Sequence, residues 1–169
     1  MKGNKLELRI PKFSELDYRK KLLADSETMS YNIGYGEIHG TGCIDFDEGS
    51  WNEWFSLWIN NVPGRYYAYI IKTDEDIPIG EVALRYVNER NAYCVSIIIE
   101  AKHRGKGYSK EALRLLADTA FYELGAKIIF DDFPSSRLAA EKVFKEVGFK
   151  RISADIMELT KEDYLYLVD

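Results

Sequence analysis

The chain has 169 residues, of which 46% are hydrophobic and 14% aromatic, and its formal net charge at pH 7 is −5. This length and apolar content predict one globular domain over residues 1–169, with a hydrophobic core of its own. The acidic balance argues against a nucleic-acid-binding protein, which usually has a basic face, and it suits a cationic substrate such as an amine.

Cysteine usage and hydropathy exclude several further classes. Cys43 and Cys94 are too few and too widely separated for a disulfide framework or a metal site, so we expect two free thiols and no metal. The N-terminal residues lack the apolar core of a signal peptide, and no apolar run approaches the length of a transmembrane helix. We therefore expect a soluble cytoplasmic protein without a membrane partner.

The first part of the chain predicts a strand and two helices separated by a long irregular stretch. Residues 6–10 alternate apolar and charged side chains, as a half-buried strand does, and a helix capped by Ser14 should run to about Ala24. Residues 25–49 show no clear period, and a loop of this length is usually functional or mobile. A second helix, for which Ser50 supplies a capping-box pattern, carries three tryptophans that are better explained as core than as a ligand cage.

The second part predicts an antiparallel meander followed by a parallel crossover. Three strands, at residues 66–72, 79–87 and 92–100, are joined by short turns. An amphipathic helix that ends at Gly125 and a short apolar strand at residues 127–131 then complete a β-α-β unit. Another amphipathic helix, an extended segment and a short C-terminal helix follow.

The most informative stretch is residues 97–116, where a β-branched strand, a basic glycine-rich turn and a helix start follow one another directly. The first N–H groups of a helix lack intrahelical partners and carry the positive end of the dipole. Gly105 and Gly107 let a ligand approach the backbone, and Arg104 and Lys106 add positive charge. The pattern indicates an anion site, most simply for a pyrophosphate, although two glycines alone could also form a tight turn beside a solvated basic face.

The string RGKGYS, from Arg104 to Ser109, resembles the R/Q-x-x-G-x-G/A loop of the GNAT acyltransferases, which binds the pyrophosphate of acetyl-CoA. Ser109 departs from the usual Gly or Ala but remains small. The order of elements also resembles the GNAT fold over nearly the whole chain. The resemblance implies an α/β (α+β) fold, with a single-domain mixed sheet in which an antiparallel meander is followed by a βαβ unit with splayed central strands, and helices on both faces.

The resemblance also implies where acetyl-CoA would bind as co-substrate. In this family the pantetheine arm lies between the splayed strands and pairs with exposed backbone, much as an added strand would. Ile97 and Ile99 stand at those positions here. The cofactor-binding residues implied by the resemblance are Ile97, Ile99, Arg104, Gly105, Lys106, Gly107, Tyr108, Ser109 and Arg137.

The helix after Ser136 resembles the family's N-x-x-A-x-x-x-Y-x-x-x-G-F helix, with two departures. Arg137 stands at the Asn position, and Phe144 stands where many members carry a tyrosine thought to protonate the leaving thiolate. Because a phenyl ring cannot donate a proton, the general acid is left open among Tyr31, Tyr35 and bulk water.

Attack on the acyl group requires a neutral amine, so a carboxylate near that group should take the amine's proton. The candidate catalytic bases are Glu81, Glu100, and either Asp131 or Asp132. Each also has a purely structural interpretation. Glu81 could be an outward-facing strand residue, Glu100 could face solvent or pair with Lys102, and the two aspartates could cap the helix after them.

The acceptor is expected to lie against the irregular stretch, through Tyr31, Tyr35 and Glu37, whereas His103 is expected to be a surface residue. We therefore predict an acetyl-CoA-dependent N-acetyltransferase that transfers an acetyl group directly to a primary amine of a small molecule. The alternatives are acetylation of a protein N-terminus or lysine, and a non-catalytic CoA-binding sensor or scaffold. A homodimer is left open as the assembly.

Overall fold

Apolar strands assemble into one sheet, which organises the molecule. A computed structural model describes residues 1–33, 40–60 and 63–168, with side chains up to residue 166. The strands are β1 (Leu6–Arg9), β2 (Arg65–Lys72), β3 (Ile77–Val87), β4 (Ala92–Ile99), β5 (Ile128–Asp132), β6 (Lys150–Arg151) and β7 (Ile156–Thr160). They lie side by side in the order β1-β2-β3-β4-β5-β7-β6.

The antiparallel meander of β2, β3 and β4 is present as predicted, with β1 added at its edge. Glu81 of β3 lies opposite Ile98 of β4, and Tyr69 of β2 lies opposite Glu81 on its other side. Five predicted strands begin and end within two residues of the observed ones, because their apolar runs are bounded by charged or turn-forming residues.

The splay between the two central parallel strands is also present. β4 and β5 pair only through Tyr93 with Ile129 and through Cys94 with Phe130. Beyond Cys94, β4 continues to Ile99 without a partner on β5. The two strands therefore enclose a gap that is closed at Cys94 and opens towards the end of β4.

Helices cover both faces of this sheet, so the mixed α/β fold is confirmed. They are α1 (Leu16–Ala24), α2 (Ser26–Met29), α3 (Trp51–Trp58), α4 (Tyr108–Asp118), α5 (Leu138–Val147) and α6 (Lys161–Val168). None of the helices in the described ranges is both long enough and apolar enough to cross a membrane. The single-domain organisation of the whole chain stays a prediction.

The larger core lies between the sheet and α4. Ala112, Leu113 and Leu116 of α4 are fully buried against strand residues such as Ile70 and Leu84. Full burial of an aliphatic side chain contributes about 1.5–3 kcal/mol, so this continuous helix face accounts for much of the packing. The chain turns away from the helix at Gly125, whose φ of +68° is unfavourable for other residues.

The opposite face of the sheet is covered by α1, α2 and α3. Leu16, Leu23 and Met29 pack with Phe46 and Ile98 in a second apolar cluster. The tryptophans of α3 pack against this face but are only half-buried, so the prediction that they lie in the core is met in part.

Two local features, one within the irregular stretch and one just after it, differ from the predictions. The stretch contains α2 and a 3₁₀ turn at Ser30–Asn32, so part of it is helical. The capping box at Ser50 is wrong, because its hydroxyl donates to the Asp47 carbonyl at 2.7 Å and a 3₁₀ turn, Glu48–Ser50, precedes α3.

Candidate active site

The glycine turn before α4 has the geometry that an anion site requires. Gly105 and Gly107 have φ values of +73° and +81°, which side chains disfavour. A β-carbon placed on either residue would meet no atom within 4 Å, so both backbones border open space. Gly107 precedes the first turn of α4, where no side chain caps the helix. This cradle fits the phosphates of acetyl-CoA, whose charge the helix N-terminus would stabilise.

The side chain of Arg104 is engaged within the protein. Its Nε donates to the Ile99 carbonyl at 3.2 Å, Nη1 donates to the Glu27 carbonyl at 3.3 Å, and Nη2 donates to the Thr28 carbonyl. Thr28 also accepts from the Ala101 N–H at 3.0 Å. Arg104 therefore ties α2 to the end of β4, a structural task that the phosphate-loop pattern does not reveal.

The unpaired part of β4 offers backbone groups to the gap. The Glu100 N–H donates to the Ile79 carbonyl at 2.9 Å, so Glu100 points its N–H towards β3. Backbone groups alternate along a strand, which directs those of Ile97 and Ile99 to the opposite edge, towards β5. The Ile99 side chain is buried in the core. Ile97 is thus placed to pair with an extended ligand in the gap, and Ile99 offers its N–H there, since its carbonyl already accepts from Arg104.

Glu81 sits on β3 next to a close approach of two strands. A β-carbon on Gly80 would lie 2.1 Å from the Ile98 carbonyl oxygen, so only glycine fits there. The Glu81 side chain, with only 6% of the residue exposed, points to the face covered by α1 and α3. The interpretation of Glu81 as an outward-facing, solvated residue is therefore wrong.

The Glu81 carboxylate is bound by two side chains that the sequence did not single out. Arg19 of α1 donates to it from Nη1 in a buried ion pair, and the hydroxyl of Tyr67 donates to its other oxygen. Burial opposes the charged form of Arg19, but the charges and hydrogen bonds of Glu81 and Tyr67 together outweigh it, so the pKa of Arg19 is raised. Burial and the same carboxylate raise the pKa of Tyr67, which stays protonated. The group is thus an electroneutral, hydrogen-bonded unit.

Glu100 lies at the end of β4 in a different setting. Its carboxylate pairs with Lys102 at 2.8 Å, as the structural interpretation had it. Burial, followed by the nearby Glu100 charge, raises the pKa of Tyr18, whose hydroxyl is buried.

His103 is not a surface residue: its side chain is 12% exposed, and among the described residues neither buried ring nitrogen has a hydrogen-bond partner. Burial lowers the pKa of His103, so the ring is neutral.

Tyr31 and Arg137 are in contact beside the open end of the gap, a region we call the cleft: Tyr31 follows α2, which Arg104 ties to the end of β4, and Arg137 follows β5. The Arg137 guanidinium lies 5.1 Å from the centre of the Tyr31 ring and donates to the Tyr31 carbonyl. Although 37% of Tyr31 is exposed, partial burial of its phenol and then the Glu81 charge raise its pKa, so the phenol remains protonated. Tyr35 and Glu37, which the sequence analysis also assigned to the acceptor wall, lie outside the described residues.

The closed end of the gap holds a cluster that sequence reasoning missed. The Sγ of Cys94 and carboxylate oxygens of Asp131 and Asp132 lie within 4.8 Å of one another. Burial raises the pKa of Asp131 to about 7, although the Asp132 N–H donates to its Oδ1 at 2.8 Å. Burial, followed by the two aspartates, raises the pKa of Cys94 to about 12, so it is a thiol at neutral pH. Acids often cluster without an ion, and we assign no metal here.

The two aspartates do not cap α5, contrary to their structural interpretation. The residue before α5 is Arg137, and no side chain caps that helix. The register that pairs Cys94 with Phe130 is the signal that could have placed Cys94 beside Asp131, once the parallel strands were recognised.

Phe144 is a core residue. It is 3% exposed and packs edge-to-face with Phe133 and Phe149, at centroid distances of 5.1 Å and 4.7 Å. The ring fills space beneath α5 and offers no proton donor, as the sequence indicated.

Comparison with known proteins agrees with this geometry. The family profile of the acetyltransferase (GNAT) domain matches residues 5–150. Among solved structures, the spermidine N-acetyltransferase of Vibrio cholerae, in complex with CoA and spermine, has a TM-score of 0.77 at 20% identity, with 96% of this chain and 99% of that chain covered. A nucleotide-linked sugar GNAT, FdhC in its apo form, has a TM-score of 0.78 at 22% identity, with 98% and 92% covered.

An acetyltransferase of the GNAT family from Bacillus anthracis is similar as well, with a TM-score of 0.74, 17% identity, and 95% of this chain and 98% of that chain covered. No curated protein matches the sequence significantly. Identities this low establish the common fold, whereas the family profile spans most of the chain. This protein therefore belongs to the GNAT acetyltransferase family.

Proposed function

We propose that the chain is an acetyl-CoA-dependent N-acetyltransferase that transfers an acetyl group directly to a primary amine of a small molecule in the cytoplasm. The observation that carries this proposal is the gap between β4 and β5, which has an uncapped helix start at its open end and partly buried titratable groups at its closed end. Acetyl-CoA, when bound, supplies the activated acyl group as a thioester. The likeness to a spermidine N-acetyltransferase supports an amine as acceptor.

The residues along the gap would hold acetyl-CoA in one direction. Gly105 and Gly107, with the start of α4, would take the pyrophosphate, together with Lys106, Tyr108 and Ser109 beside them in sequence, and Arg137 would add a further positive charge. Ile99 and Ile97 would pair with the amide groups of the pantetheine arm. Residues 94–99 in extended conformation span about 17 Å. Cys94 and Asp131 therefore border the acyl end.

Asp131 is the carboxylate that the geometry favours as general base. An amine of pKa ~10.4 is neutral in only about one molecule in 2,500 at pH 7, a penalty of roughly 4.6 kcal/mol. A base with a pKa of about 7 is well matched to accept that proton, and Asp131 has this value at the closed end of the gap. Glu81 is neutralised by Arg19, Glu100 is paired with Lys102, and Asp132 is exposed beside Asp131.

The leaving thiolate needs a proton from a group other than Phe144. Tyr31 is a protonated phenol on the cleft, held by Arg137 through its ring and carbonyl. It is therefore the proposed donor among the described residues, with bulk water as the alternative. No acyl-enzyme is needed, because Cys94 is held as a thiol.

Turnover of purified protein tests this function. Acetyl-CoA is mixed with a panel of small amines, then with peptides that offer an N-terminus or a lysine, while free thiol is measured and the acetylated product is identified by mass. Thiol release that depends on a small amine supports the proposal. Acetylation of peptides alone would support the protein-modifying alternative.

A non-catalytic CoA-binding sensor is the second candidate, and the burial of Phe144 at the position of the usual tyrosine favours it. Calorimetric binding of acetyl-CoA without thiol release for any acceptor would support this sensor in place of the transferase.

A further inference from the structure

The guanidinium of Arg19 occupies a box of aromatic rings. Its central carbon lies 4.9 Å from the ring centre of Phe46, 4.6 Å from that of Trp54 and 5.3 Å from that of Tyr67. The rings pack edge-to-face on one another, Phe46 with Trp54 at 5.2 Å and Trp54 with Tyr67 at 4.8 Å. Together with Glu81, these rings bring four different segments into one cation-binding enclosure, which we call the Arg19 box (Phe46, Trp54, Tyr67 and Glu81).

The floor of the Arg19 box is the Glu81 carboxylate, which accepts hydrogen bonds from Arg19 and Tyr67. Aromatic faces combined with a carboxylate form the kind of site that binds the ammonium or guanidinium group of a ligand. Here the chain places one of its own cations in that site. An internal ion pair alone would not require three rings around the cation.

The Arg19 box lies one strand away from the gap, on the face of the sheet that α2 also covers. Glu81 lies opposite Ile98, in the part of β4 that runs along the gap. Phe46 and Trp54 of the box pack in one apolar cluster with Ile98 and with Met29, two residues before Tyr31. After burial, the charge of Glu81 contributes to the raised pKa of Tyr31. A ligand between Tyr31 and β4 would therefore lie beside the box, whose cation site is already filled by Arg19.

We propose that Arg19 is a specificity-determining residue that fills a cation site of the acceptor cleft and so restricts the acceptor to amines without a second positive charge near the attacking nitrogen. This inference rests on the proposed N-acetyltransferase function. The second ammonium of a diamine or polyamine would meet the fixed Arg19 cation instead of a free Glu81 carboxylate. Among the described carboxylates, Glu100 is also compensated, by Lys102 at 2.8 Å.

A binding experiment that needs no turnover tests the Arg19 box. Arg19→Ala removes the internal cation, and ethylguanidinium serves as the probe that restores it. We expect millimolar ethylguanidinium to raise the unfolding temperature of Arg19→Ala and to change the fluorescence of Trp54 in a saturable way, with at least tenfold higher affinity than for wild type. Equal responses of the two proteins would overturn the assignment of a vacated cation site.

The matched control is Arg151→Ala. Arg151 pairs with Glu141 at 3.0 Å and lies 5.3 Å from the Phe133 ring centre, and its side chain is 17% exposed against 16% for Arg19. It lacks the three-ring enclosure, so its removal should create no comparable response to ethylguanidinium. A response equal to that of Arg19→Ala would mean that any buried arginine gives the effect, and would overturn the proposal.

The second experiment measures acceptor selectivity. It begins with the wild-type protein, so its first result does not depend on the folding of any variant. We expect kcat/KM for n-butylamine to exceed that for 1,4-diaminobutane and for spermidine by at least tenfold, and Arg19→Ala to narrow this ratio. Equal or better use of the diamine by wild type would overturn the inference. If no amine is acetylated, the proposed function fails, while the ethylguanidinium arm still decides whether Arg19 fills a cation site.

Discussion

Arg104 donates from Nε to the carbonyl oxygen of Ile99 at 3.2 Å, which ties the glycine turn to the last residue of β4. The same guanidinium bonds two carbonyls of α2. One residue therefore links the proposed phosphate site, the strand along the gap and the segment that leads to Tyr31.

Replacing Arg104 should have two effects, whereas replacing Lys106 should have only one of them. Arg104→Gln should weaken acetyl-CoA binding and also loosen α2, because hydrogen bonds from a charged donor contribute about 1–3 kcal/mol. Lys106→Gln removes only an exposed charge and should weaken binding without loosening α2. Calorimetric titration and amide exchange of Ser26–Met29 measure the two effects. Unchanged exchange in Arg104→Gln would show that the side chain does not hold α2 in place.

The glycine turn can be tested with a matched pair of substitutions at positive φ. Gly107→Val and Gly125→Val both force a β-branched residue into the left-handed region, at φ values of +81° and +68°, and a β-carbon added at either position meets no atom within 4 Å. Each should destabilise the fold by at least about 1–2 kcal/mol. Only Gly107→Val should also abolish the binding of acetyl-CoA in a folded protein. Equal affinities in calorimetry would remove Gly107 from the phosphate site.

Asp131 should make stability depend on pH. Burial raises its pKa to about 7 in the folded protein, against ~3.9 in an unfolded chain. The unfolded chain therefore ionises first, and stability falls as the pH rises from about 4 to about 7. Asp131→Asn keeps the acceptor for the Asp132 N–H and should be more stable than wild type at pH 8, on the order of 2–4 kcal/mol, but not at pH 4.

Denaturant unfolding of wild type and Asp131→Asn at both pH values measures this difference, with Asp132→Asn as the exposed control. A stability difference between wild type and Asp131→Asn that is the same at pH 4 and pH 8 would contradict the burial of an ionisable Asp131.

The Arg19–Glu81 pair should contribute more to stability than pairs at the surface. Arg19→Met leaves the Glu81 carboxylate buried without its cation and should cost about 3–5 kcal/mol. Lys20→Met, one residue along α1, breaks the exposed pair with Glu48 at 2.7 Å and should have little effect. Urea unfolding of the two variants compares them directly. Similar midpoints would argue that the Arg19 pair is screened by solvent in solution.

Local patterns predicted the parts of the fold that depend on neighbours in sequence. Alternation located the first strand and apolar runs bounded by turns located the others, while the helix-breaking glycines Gly125 and Gly148 marked where helices end. Contacts between distant segments were not predictable in this way. Arg19 meets Glu81 across 62 residues, and Arg104 meets Thr28 across 76. No pattern around either arginine carries that information.

The residues of the candidate site also differ in whether local sequence or distant contacts determine their placement. The glycine turn and the edge of β4 follow from a contiguous motif, whereas the cluster of Cys94 with Asp131 depends on the register of two parallel strands. Glu81 was correctly associated with the sheet beside the gap, but its neutralising partner comes from a helix whose sequence indicates only packing.

The pH dependence of acetyl transfer by wild type and Asp131→Asn tests the central claim most directly. Wild-type kcat/KM for a small amine should rise through pH 7 as Asp131 loses its proton, since its pKa is about 7. Asp131→Asn should be slower by ~10²–10⁴ at pH 7, and the deficit should shrink at higher pH, where more of the amine is already neutral. If Asp131→Asn transfers the acetyl group at the wild-type rate with the same pH profile, Asp131 is not the base and the assignment of the reaction to the closed end of the gap is contradicted.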